Sequence, residues 1–108
     1  MNMKKILLLS FLACLSTVAH SASQIKKITK VGCHINTNTC FVYVEGGISS
    51  DCPVNDGSFR WNGVSDNNGN SALSILLSAH AQDKSVTFGE SGCFSGFPSF
   101  TYLTINKT

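Results

Sequence analysis

The chain has 108 residues, 43% of them hydrophobic and 13% charged, with eight Lys and Arg against six Asp and Glu. A chain of this length makes one domain. So small a basic excess excludes the phosphate-neutralising surface that general nucleic-acid binding needs.

The basic excess is itself local. Met1 to Lys5 form a short basic start, and Ile6 to Val18 form an apolar run broken only by Ser10, Ser16 and Thr17. Spanning a bilayer takes roughly 20 apolar residues, so this run is too short. With Ala19 and Ser21 behind it, it reads as a cleavable secretory signal. The expected cut follows Ser21, with Ala19 as the second choice, giving a signal peptide over 1–21 and a single domain over 22–108. Cys14 lies in Phe11-Leu12-Ala13-Cys14, a weak likeness to a lipoprotein box, but Phe11 stands where leucine is usual. It is read as a cysteine discarded with the signal. Losing Lys4 and Lys5 leaves six basic and six acidic residues. A near-neutral surface suits a neutral ligand such as a glycan, or a homo-oligomer that buries much of itself. No integral membrane segment remains after cleavage, and the product is expected to be secreted or periplasmic.

Gln24 to Cys33 reads as a first strand with a bulge or bend near Lys27, its apolar positions being Ile25, Ile28 and Val31. His34 to Thr39 is turn-rich. Cys40 to Gly46 (CFVYVEG) is the clearest strand, with Phe41 and Tyr43 on one face and Val42 and Val44 on the other. Gly46 to Gly57 is a loop by composition. Ser58 to Val64 is a third strand, placing Phe59 and Trp61 opposite Arg60 and Asn62. Asp66 to Asn70 is a polar turn leading to Ser71, the expected helix N-cap. From Ala72 to Gln82 the period switches: Leu73, Leu76, Leu77 and His80 form a helical stripe, widened by Ile75 and Ala79. Lys84 to Glu90 is a fourth strand with Val86 and Phe88 on one side. Ser91 to Ser99 is a loop, and Phe100 to Asn106 a fifth strand with Leu103 and Ile105 opposing Phe100 and Tyr102. The order β-β-β-α-β-β is that of a small OB-like five-stranded barrel with its helix between strands three and four. A plain antiparallel sheet with one packed helix is the alternative.

Four cysteines remain after cleavage, and an even set in an oxidising compartment is expected to pair. Cys33 and Cys40 flank the first turn, which a hairpin brings together, leaving Cys52 to reach Cys93. The favoured pairing is therefore Cys33–Cys40 with Cys52–Cys93, each bridge contributing about 2–4 kcal/mol. A metal site is disfavoured, since no C-x-x-C pair occurs and His34 and His80 lack ligand spacing.

No catalytic constellation is visible, and no cofactor or metal is expected. Glu45, Asp51, Asp56, Asp66, Asp83 and Glu90 mostly fall in turns or at strand ends, where solvated carboxylates belong. His80 reads as a core or rim histidine. Asp66, Asn68 and Asn70 alternate like the start of an EF-hand loop, but Ser71 and Leu77 stand where Gly and Glu are required. The chain is read as a non-enzyme. Among the aromatics, Phe94 and Phe97 stand out because they lie in a Gly-, Ser- and Pro-containing loop. In an OB-fold this loop is one of the usual ligand-binding loops. Trp61, Phe94 and Phe97 are the candidate ligand-binding residues; the competing reading has the two phenylalanines capping the open end of the barrel.

The segment Ala72 to Asn106, helix, Asp83-Lys84-Ser85, strand, cysteine, loop and terminal strand, resembles the C-terminal part of the OB-fold B subunits of AB-type bacterial toxins. LLSAHAQDKSVTF followed by a Gly-Cys pair also resembles small exported proteins of gammaproteobacteria. The toxin resemblance implies a ring of five and recognition of host-cell glycans. The reading is thus a secreted or periplasmic binding module with a glycan ligand. The alternative is a small envelope protein that binds another protein, as an inhibitor or assembly factor.

Overall fold

The computed structural model describes residues 22–108. The signal peptide expected over 1–21, and Cys14 with it, lie outside the described residues. The domain is mainly β with one helix: β1 (Ser23–Lys26), β2 (Ile28–Cys33), β3 (Thr39–Val44), β4 (Ser58–Asn62), α1 (Gly69–Ala81), β5 (Val86–Phe94) and β6 (Phe97–Ile105). Two three-stranded sheets form, ordered β1-β5-β6 and β2-β3-β4, and every ladder is antiparallel.

A closed five-stranded barrel is therefore not what forms. The expected first strand breaks at Lys27, and its two halves serve different sheets: β1 pairs with β5, and β2 with β3. Lys27 holds the corner, its carbonyl accepting from the Glu45 amide at 3.0 Å and its Nζ donating to the Asp83 carbonyl at 2.6 Å. The Asp83 carboxylate also lies 3.3 Å from that Nζ. On the far side β4 and β6 run close together, but no ladder joins them. The sheets face each other across the core instead of closing.

Inward-facing positions explain why the sheets stack. Val42 and Val44 of β3, Phe59 and Trp61 of β4, and Val86 and Phe88 of β5 are buried, as period-2 alternation requires. Phe59 and Phe88 stack at 4.5 Å across the two sheets, and Phe100 presents an edge to each at 5.8 and 5.5 Å. Phe100 and Tyr102 were expected on one face, but they diverge. Gly89 pairs with Tyr102 while Glu90 pairs with Phe100, so Thr101 is an extra residue that breaks the alternation. Phe100 turns into the core and Tyr102 stays outside.

The helix begins three residues before the expected start, and Asn68, not Ser71, is its N-cap. Asn68 is left-handed at φ 71° and makes no side-chain capping bond; Ser71 lies in the first turn. Gly69 can open the helix because a side chain there would strike the Asn62 carbonyl and Ser65. Its buried residues are Gly69, Ala72, Leu76 and Ala79, with Leu73 packed against the core. The apolar stripe is thus shifted: Leu77 is half-exposed, and His80 is exposed rather than a core or rim residue. Small Ala72 and Ala79 let the helix lie close on the sheets; of the two, a pattern reading weighted by large residues misses Ala72.

The segment expected to be a loop, Ser91 to Ser99, is mostly hairpin. Phe94 and Phe97 pair directly across a two-residue turn. Both turn residues have positive φ, Ser95 at 52° and Gly96 at 88°, the pattern of a type I′ turn. The disulfides join Cys33 to Cys40 and Cys52 to Cys93. Cys33 and Cys40 face each other across β2 and β3. The Cys52–Cys93 bridge ties the β3–β4 loop to β5, and next to it the Val54 amide donates to the Gly96 carbonyl at 2.9 Å.

Candidate functional site

The open seam between β4 and β6 is also where an aromatic-lined cleft lies. After Asn62 the chain turns away and enters α1, leaving a cleft of about 470 Å³ between the start of the helix and the middle of β6. Trp61, Phe94, Phe100 and Tyr102 supply its rings. Asn67, Asn68, Ser71, Ser99 and Thr101 supply neutral polar groups, and among the described residues no charged side chain lines it. Those five side chains make no hydrogen bond among the described residues, so their donors and acceptors are open to a ligand. Rigid rings with a few neutral polar groups are what a small uncharged ligand needs for affinity and orientation.

Each wall has a local cause. The Trp61 indole is mostly buried, and its Nε1 donates to the Gly69 carbonyl at 2.9 Å, locking the ring at the base of the helix. Tyr102 is 52% exposed and lies over Gly89 on the neighbouring strand, where any side chain would displace it. The Thr101 bulge turns that ring outward.

The three expected ligand-binding residues are not brought together. Trp61 and Phe94 line the cleft, but Phe97 does not; its ring lies under the Arg60 guanidinium, 4.0 Å from Cζ to ring centroid. Tyr102 and Thr101 were missed. Their signal was the alternation of aromatic and hydroxyl residues in SFTYLT, which reads as plain strand until the bulge is known.

The outward face of the β2-β3-β4 sheet is charged and aromatic. Tyr43 donates its hydroxyl to Asp56 Oδ2 at 2.9 Å, Ser58 Oγ donates to Asp56 Oδ1 at 2.6 Å, and Arg60 Nη2 lies 3.3 Å from Oδ2. Burial pushes the Asp56 carboxyl up, but the bonds from Ser58 and Tyr43 and the Arg60 charge outweigh it, holding it below the usual carboxylate range. A third surface, a polar cleft of about 520 Å³, surrounds the Cys52–Cys93 bridge. There burial, with Asp51 as a like charge, holds the Glu90 carboxyl above its usual range. No group of three or more His, Cys, Asp or Glu is placed to hold a metal among the described residues.

Two disulfides fit an oxidising compartment, and no described helix is long and apolar enough to cross a membrane. Comparison with protein families, with curated proteins and with solved structures finds no match to this chain.

Proposed function

We propose that this chain is a non-enzymatic binding module, secreted or periplasmic, that holds a neutral glycan in the cleft between α1 and β6. The observation that carries the proposal is the lining: the half-exposed Tyr102 ring, with Phe94, Phe100 and Trp61 behind it, beside unspent hydroxyl and amide groups and with no charged side chain among the described residues. Sugars offer flat C–H faces to rings and neutral hydroxyls to such groups, so both halves of the lining are used. The two sheets do not close, and their strand order is not that of a five-stranded OB-fold. What the fold shares with the OB-like reading is β6 packed beside β4 and a helix between β4 and β5. The resemblance to toxin B subunits adds host-cell glycans as the class of ligand and a ring of identical copies as the assembly.

Trp61 is the only tryptophan in the chain, so its emission reports on this cleft alone. A glycan array followed by fluorescence titration of the best neutral oligosaccharide is expected to show saturable change. Tyr102→Ala should weaken that binding about tenfold, the loss of one stacking ring. An array empty of neutral glycans would sink the reading, whatever the oligomer.

A further inference from the structure

We propose that the outward face of the β2-β3-β4 sheet docks an acidic segment of another protein. This goes beyond the glycan reading and uses a different face of the molecule.

Lys30 and Tyr43 pair directly across β2 and β3, and Lys30 Nζ lies 4.7 Å from the centre of the Tyr43 ring. One row along, Gly32 faces Phe41, which in turn faces Arg60. With no side chain at Gly32, the Phe41 ring lies down on the sheet; a Cβ there would come within 2.9 Å of it. The Arg60 guanidinium is sandwiched between Phe97 at 4.0 Å and Phe41 at 5.2 Å. Its Nε and Nη2 are spent on Ser58, Tyr43 and Asp56. Lys30, and His34 beside the Phe41 ring, have no ion-pair partner among the described residues.

At the rim stands Ile35, 99% exposed, in a six-residue turn closed by the Cys33–Cys40 bridge. The turn is further pinned by bonds from the His34 amide to the Thr39 carbonyl and from the Gly63 amide to the Asn38 carbonyl. An apolar anchor held in place before contact avoids much of the ordering cost of binding. Rigid Tyr, Phe and Arg side chains around it have the composition of an interface hot spot.

Charge selects the occupant. Lys30 and the Nη1 edge of Arg60, which the bonds to Ser58, Tyr43 and Asp56 leave unused, call for carboxylates, while Ile35 and Phe41 call for an apolar side chain. An acidic sugar fits less well, because the Tyr43 and Ser58 hydroxyls are already consumed around Asp56. The face therefore offers rings, one isoleucine and cations, and a peptide carrying carboxylates beside an apolar residue matches all three.

The test is titration of the ¹⁵N-labelled, disulfide-intact protein with a synthetic peptide of alternating glutamate and leucine. Amide shifts are expected at Ile35, Phe41, Tyr43 and Arg60, weakening as salt rises from about 50 to about 500 mM. The Lys30→Glu, Ile35→Asp double variant alters two exposed side chains, so it should keep the parent's melting temperature while losing about tenfold or more in affinity. Silence at millimolar peptide overturns the proposal. So do shifts centred on Ser99 and Thr101, or an oligogalacturonate that moves the sheet-face amides when the peptide does not.

Discussion

Replacing Asp56 with alanine tests whether the polar cluster on the second sheet stabilises the fold or merely decorates it. The carboxylate accepts from the Ser58 amide and hydroxyl, from the Tyr43 hydroxyl and from Arg60 Nη2. Bonds to a charged group are worth about 1.5–3 kcal/mol when buried. The Asp56 side chain is 39% exposed, so water screens each and about 0.5 kcal/mol apiece is the fair figure. Four contacts give about 2 kcal/mol, and Arg60, only 12% exposed, loses its countercharge as well. For a domain of this size that is a fall of about 8–16 °C in melting temperature. Because the folded-state carboxyl is held below its usual range, its contribution is complete above the unfolded carboxylate range near pH ~4. It is lost as pH falls through the lower folded value. Urea titrations followed by Trp61 emission should therefore separate parent and variant at pH 7, with the gap narrowing as pH falls below the unfolded carboxylate range. A difference under about 0.5 kcal/mol at pH 7, or one that does not narrow in acid, would refute the reasoning.

Two further outcomes concern stability. Loop entropy ranks the disulfides: removing Cys52–Cys93, with a separation of 41, should cost about 4 kcal/mol, and removing Cys33–Cys40, with a separation of 7, about 2. Melting of the two double-alanine variants checks the ranking, and the reverse order would contradict it. Glu90→Gln should act oppositely to the Asp56 change. Its folded-state carboxyl is raised, so the ionised form is penalised above that value and relieved as pH falls through it. The variant should be more stable than the parent at neutral pH and lose that advantage in acid; a constant difference across the range would exclude this account.

Much of the fold was legible because alternation is a local property. CFVYVEG and SFRWNGV separate Val42 and Val44 from Phe41 and Tyr43, and Phe59 and Trp61 from Arg60 and Asn62, with no knowledge of neighbours; the structure buries Val42, Val44, Phe59 and Trp61. What failed depended on partners distant in sequence. The Thr101 bulge exists only in the pairing of β5 with β6, so Phe100 and Tyr102 could not be separated by pattern. The helix face was misjudged in part: Leu73, Leu76 and Ala79 were placed on it, but Ala72 is buried by closeness to the sheets while Leu77 and His80 face out. The same limit divides the candidate site. Trp61 and Phe94 were accessible as aromatics in suggestive places, but the seam they line follows from a missing ladder between β4 and β6. Phe97 packs against Arg60, a contact that no spacing announces. The Ser95-Gly96 turn was the readable signal overlooked, a two-residue joint between paired aromatics.

Among the described residues the two disulfides join neighbours along the chain, Cys33 to Cys40 and Cys52 to Cys93. In a chain oxidised as it emerges from its N-terminus, Cys33 meets Cys40 after only seven residues, before Cys52 or Cys93 has appeared. Cys52 then finds that pair already closed and waits for Cys93. Among these four, order of emergence favours the native bridges. The wait is long, since β1 must also be held open until β5 arrives to pair with it. The last third of the polypeptide is therefore the latch for the first, and the domain cannot close until nearly all of it is present.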